Sequence, residues 1–209
     1  MSLGVTSFDE LNKLVGMKRS MPLAYYFQPM KLTAEQKRER LRLAEKLEDE
    51  FVYCMAYMFY AYPNINETMV DEFRNRYIRQ LEMLGIATAA ARMQANKFSI
   101  DAVDATLRHK EDPYYYSKDR ARFMAEDQSN FIYDDKDFAD AVAAGYAYKT
   151  WETVGDNRVR STHQEVEGLT IPIDEPFQLA GGYMMAPHDD SLGVDENELI
   201  KCRCTLSFS

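Results

Sequence analysis

The chain of 209 residues is poor in cysteine, with three, and in tryptophan, with one, and it has no long uninterrupted apolar run. Cys54, Cys202 and Cys204 are too few for a disulfide framework. The two close ones do not readily bridge each other, because residues two apart in a strand face the same side without reaching disulfide geometry. This usage predicts a reducing compartment. The missing apolar run excludes a membrane-spanning helix within the chain. The opening MSLGVTSFDELNKLVGMKRS lacks a basic segment followed by a continuous apolar core, so no secretory leader is expected, and MSLG is set aside from the fold argument. Basic charge is also short: 25 Lys+Arg stand against 34 Asp+Glu, a net of -9. The deficit is local. Residues 1–100 carry 14 basic and 12 acidic side chains, whereas residues 101–209 carry 11 and 22. So acidic a half repels phosphate backbones and is a poor dedicated grip on nucleic acid.

What the chain does have is ordinary globular composition. Hydrophobic residues at 46% with 28% charged argue against wholesale disorder, and the length suits one large domain or two small ones. The clearest helix is LTAEQKRERLRLAEKLEDEFVYCMAYMFYAYP. Thr33 and Gln36 stand at capping-box spacing and Pro63 follows the end. Its second half, Phe51 to Tyr62, is apolar or aromatic almost all round, which predicts burial on every side, in a bundle or against another copy. Ahead of it, Pro22 and Pro29 bracket an aromatic stretch that is expected to lie extended, packed on the chain's own helices.

A second helix is expected from about Asn66, with Met69, Phe73, Tyr77, Leu81 and Leu84 on one face. Gly85 permits a kink or a close approach there. Ser99 is expected to cap a shorter helix, and one or two more run from about Tyr114 to Gly145, a good helix stop. After Gly145 the texture changes to short β-rich runs: YAYKTWETV, LTIPI, GGYMMAP and RCTLSF. The fold class is therefore α+β. A mainly helical region over residues 1–145 precedes a small mixed α/β domain with a short sheet over residues 146–209.

Chemistry-bearing residues crowd that last region. His163, His188, Cys202 and Cys204 are the residue types that hold zinc, and together they number the four ligands of a tetrahedral site. The C-x-C spacing is less specific than a paired C-x-x-C, and both cysteines serve equally as small buried hydrophobes on one strand face. On spacing alone, packing ranks ahead of metal. Asp156, Arg158 and Arg160 form ion pairs in the simplest reading, and recognise an anion in the sharper one.

The stretch from Trp151 to Leu206 resembles the C-terminal domain of the phage Mu F-like head-morphogenesis family, the minor head or minor capsid proteins of tailed phages. The likeness rests on W-x-T-x-x-D-x-R-V-R-x-x-H, then EGLTIPIDEPF, a Gly-rich turn, APHDDSLG, and the closing ENELIKCRCTL. Many members carry a cysteine pair where this chain has STHQ, and a histidine before C-R-C, together a plausible zinc site. The resemblance carries over directly to Cys202 and Cys204 and less directly to His188. It implies a phage or prophage structural protein of the virion head, assembled in host cytoplasm near the portal. Portal, scaffold or capsid proteins would be its partners, with self-association through the helical region. No cofactor is required, and zinc is the one that would fit. The competing reading is a nuclease-like or toxin-type enzyme. There His163 would act as general base, with Asp156 beside it and Arg158 or Arg160 stabilising phosphorane-like charge.

Overall fold

In the computed structural model, which describes residues 4–209 and so leaves Met1 to Leu3 of the MSLG stretch outside, 56% of the chain is helical. The helices are α1 (Phe8–Val15), α2 (Leu23–Phe27), α3 (Ala34–Ala61), α4 (Thr68–Met83), α5 (Ala89–Arg108), α6 (Lys118–Ala144), α7 (Ser161–Gln164) and α8 (Glu196–Leu199), with a short 3-10 turn at Pro113–Tyr116. All strands among the described residues follow Gly145: β1 (Tyr148–Glu152), β2 (Thr170–Pro172), β3 (Phe177–Leu179), β4 (Gly182–Met184) and β5 (Thr205–Phe208). The class is α+β, as the change of periodicity predicts.

Local chemistry sets the boundaries. The backbone N–H of Thr33 donates to Oε1 of Gln36 while that of Gln36 donates to Oγ1 of Thr33, a reciprocal capping box at the start of α3. Helix α4 stops at Gly85, whose φ is 72°. There the N–H of Gly85 reaches the carbonyl of Glu82 and the N–H of Ile86 that of Leu81, a Schellman closure that needs the left-handed glycine. Gly145 ends α6 in the same way, through Val142 and Ala141. A fresh start at Thr88 then caps α5 by accepting from the N–H of Ala91. Ser99 is consequently no cap: it lies buried inside α5 with its hydroxyl donating to the carbonyl of Ala95. The bracketed aromatic stretch is not extended either, since Leu23–Phe27 winds into α2 and buries Tyr26 and Phe27.

The chain groups into two compact units, one of Met1–Leu23 with Leu41–Glu126, the other of Ala24–Arg40 with Asp127–Ser209. In the first, Phe51, Phe73, Tyr77 and Phe98 stack edge to face and tilted, with centroid separations from 4.9 to 6.0 Å. Met55, Met58 and Phe59 of α3 are buried as expected. Burial on every side is not found, however: Tyr53, Tyr57 and Tyr60 are 45%, 45% and 66% exposed. Tyrosine tolerates this because its ring is amphipathic. Tyr53 stacks on Tyr57 and lies under the guanidinium of Arg76 at 3.4 Å.

The second unit is built on a three-stranded antiparallel sheet in the order β2-β1-β5, plus the β3–β4 hairpin. Tyr148 pairs with Pro172 on one side of β1, and Trp151 pairs with Leu206 on the other. Alternation along β1 turns Lys149 and Trp151 inward. Trp151, Val166, Phe177, Leu179, Met184, Val194, Cys202 and Cys204 form one apolar core. Residues 24–40 and 127–144 join this unit through specific bonds, among them those of Tyr26 Oη and Asn130 Nδ2 to the carbonyl of Cys202.

Candidate functional site

The short helix α7 presents His163, and the segment between α8 and β5 presents Cys202 and Cys204. Nδ1 of His163 lies 3.3 Å from Sγ of Cys204 and 3.5 Å from Sγ of Cys202. All three side chains are buried and both thiols are free. Their donor atoms lie within 4.8 Å of one another, close enough to share one ion. Trp151 covers the imidazole edge-on at 5.2 Å. On the far side of the ring, Nε2 lies 2.9 Å from Oε2 of Glu198, an ion-pair distance off the hydrogen-bond axis. Burial pushes the Cys202 thiol well above the ordinary thiol range, and its neighbour Cys204 adds to that. Without a cation the Cys202 thiol is therefore held protonated at neutral pH and is no nucleophile.

Beside it lies a space of about 10 Å³, bordered by Arg158, Arg160, His163, Arg203 and Cys204. That is about the room of one water molecule. Arg203 pairs with Asp156 at 2.8 Å, and Arg160 donates to the carbonyl of Ile200.

His188 belongs to a different cluster. It adopts a left-handed φ of 67°, and its Nδ1 lies 3.0 Å from Oδ2 of Asp134, with Nε2 3.8 Å from Asp127. Burial alone would lower its pKa, but the nearby carboxylate of Asp127 and the hydrogen bond to Asp134 outweigh burial and raise it to about 10. Asp134 also receives the guanidinium of Arg40, which is fully buried and reaches Asp137 and Asn130 as well. Asn130 in turn donates to the carbonyl of Cys202. This cluster fixes the backbone between the two cysteines.

A family model described as Phage Mu protein F like protein matches residues 76–207, well over half of the chain. The chain belongs to the phage Mu protein F-like family. Its setting is accordingly the phage head and head morphogenesis. No curated protein and no solved structure matches it. The match begins in α4 and takes in α5 and α6, so the Mu F-like region reaches far upstream of the Trp151–Leu206 stretch in which the motifs are legible.

Of the residues singled out from sequence, this Mu F-like chain brings His163, Cys202 and Cys204 together. His188 is turned to Asp127 and Asp134 instead, and among the described residues no fourth His, Cys, Asp or Glu donor joins the trio. Arg158, Arg160 and His163 border one small space, and Asp156 is not among its lining residues. Asp156 is taken up by Arg203 and the N–H of Arg158, and His163 faces sulfur on one side and Glu198 on the other. Sequence reasoning missed Glu198, Arg40 and the α6 carboxylates. A signal existed for the last two. Arg40 falls in phase with the apolar seam Leu43, Leu47 and Phe51, and Asp127, Asn130, Asp134 and Asp137 recur at three and four residues on one face of α6.

Proposed function

We propose that this chain is a minor head protein, acting structurally near the portal during head morphogenesis in the host cytoplasm and retained in the virion head. The observation that carries the reading is the family match across residues 76–207. Portal, scaffold or capsid proteins are its partners in this reading, and the helical region contributes any self-association. The site chemistry agrees with a structural role. The imidazole and both thiols are buried, the Cys202 thiol is not activated, and Arg160 and Arg203 spend donors within the fold. No described helix is long and apolar enough to cross a membrane.

The trio of His163, Cys202 and Cys204 is proposed to hold zinc. One imidazole nitrogen and two sulfurs suit that ion, which would cross-link α7 to the segment before β5. Binding requires both thiols to lose their protons, so uptake releases protons and weakens as pH falls.

Two experiments test these statements. Proteomics of purified virions, with pull-down of tagged protein against the portal of the same phage, is expected to recover this chain in few copies per particle and bound to portal. Absence from both overturns the assignment. Elemental analysis of protein purified without chelator is expected to give one zinc per chain, lost in Cys202→Ser. Metal-free wild type overturns the zinc proposal and leaves the trio as packed core. Cleavage of RNA or DNA that disappears in His163→Ala would instead favour an enzyme.

A further inference from the structure

We infer that Glu198 is a positioning residue that sets the tautomer of His163, and that Gly181 is a glycine in order to give Glu198 its seat. The second half of the inference, its effect on metal affinity, rests on the zinc reading above. The first half does not.

A neutral imidazole carries its proton on one nitrogen and a lone pair on the other. A carboxylate oxygen accepts and does not donate, and Oε2 of Glu198 lies 2.9 Å from Nε2 of His163. Such an acceptor favours a proton on that nitrogen. Nδ1 is then left with its lone pair facing the two sulfurs at 3.3 and 3.5 Å, which is the ligating form. The carboxylate is held in place from two directions. Thr162, the residue before His163, donates its hydroxyl to the same Oε2 at 2.8 Å, so the ring and the anchor of its partner come from consecutive positions of α7. From the other direction the β3–β4 turn closes over Glu198 at Gly181. A Cβ there would sit 2.7 Å from Cγ and 2.8 Å from Oε1 of Glu198, closer than side chains tolerate. The backbone of Gly181 lies outside the left-handed region that demands glycine in neighbouring Gly182. Space, not φ, is what this glycine supplies. The chain of contacts therefore runs from the hairpin turn through Glu198 and His163 to the cysteine pair.

The test reads the two halves separately on the full chain. Long-range ¹⁵N–¹H spectra of metal-free protein at one fixed pH near neutrality, with the three imidazoles assigned by substitution, are expected to show His163 as the Nε2–H form. In Glu198→Ala and in Gly181→Ala, which keeps the carboxylate but displaces it, the signal is expected to move toward the Nδ1–H form or a mixture. Glu198→Gln, which retains an acceptor, is expected to restore it in part. Titration with Co²⁺ is then expected to weaken about 10–100-fold in Glu198→Ala with stoichiometry unchanged. A wild-type Nδ1–H form, or a tautomer unmoved by both Glu198→Ala and Gly181→Ala, overturns the inference. If the tautomer responds as expected but no variant, wild type included, takes up metal, the positioning role stands and the zinc proposal falls. Should Glu198→Ala fail to fold, Gly181→Ala and Thr162→Val carry the same comparison.

Discussion

The two compact units both bury charge, and they neutralise it by different means. In the unit that holds the aromatic cluster, buried carboxylates are spent on backbone. Asp119 accepts from the N–H groups of Arg19 and Ser20, and Glu126 from that of Met21. Buried Arg120 bonds to the carbonyls of Tyr115 and Ala102, and burial pulls its pKa down to about 10. In the unit that holds the sheet, most buried ions are set against one another: Arg40 with Asp134 and Asp137, and His188 with Asp134. Backbone-anchored charge pins a segment. Mutually paired charge specifies an arrangement of side chains, and it fails when one partner is removed.

The sharpest way to break this comparison is to remove one member from each unit. Phe51→Ala in the aromatic cluster and Arg40→Ala in the ionic one are each expected to cost about 3–5 kcal/mol in urea unfolding, the first from a cavity, the second from stranded carboxylates. The difference lies in rescue. Arg40→Met combined with Asp134→Leu and Asp137→Leu is expected to recover part of the loss, because apolar replacement of buried ions is often neutral while His188 is left with Asp127 alone. No recovery would mean the ionic set stabilises outright.

A smaller effect separates the units by pH. His188 has a folded pKa raised to about 10, so its contribution is complete below its unfolded value near 6.5 and is lost as pH rises through 10. Lys149, lowered to about 8 by burial, acts in the opposite direction above pH 8. Stability of the sheet unit, followed by hydrogen exchange of β1 and β5 amides, is therefore expected to decline between about pH 6.5 and 8, and His188→Gln is expected to flatten the slope. The amides of α4 and α5 provide the internal comparison. A slope unchanged in His188→Gln would remove His188 from the account.

The smallest effect belongs to the surface. Lys31 bridges Glu152 and Glu167 with 47% of its side chain exposed, and Lys31→Ala is expected to cost less than about 1 kcal/mol, reduced further by salt. A larger loss would show that paired charge matters in this unit even where water reaches it.

The architecture was legible where a residue's own chemistry sets the structure. The Thr33–Gln36 box, the stop at Gly145 and the burial of Met55 and Met58 follow from side chains acting within one turn or one face. Gly85 was recognised as a point of departure, but not that Thr88 would take over the capping expected of Ser99. That outcome depends on which of two hydroxyls meets a free N–H. In the site, His163, Cys202 and Cys204 were visible as residue types, while His188 was assigned by the same logic to the wrong neighbours. Its true partners, Asp127 and Asp134, lie more than fifty residues away in a helix. Glu198 could not be singled out among so many acidic residues, since only a folded hairpin turn brings Gly181 over it.

Trp151 adds something beyond packing. It is the only indole in the chain, and it sits in the core of the sheet unit, edge-on to His163 and 5.1 Å from Phe177. Fluorescence excited selectively in tryptophan therefore reports on that unit alone, while the many tyrosines elsewhere stay dark. The protein thus carries its own optical gauge of whether its sheet unit is folded, readable in any mixture whose other components lack tryptophan.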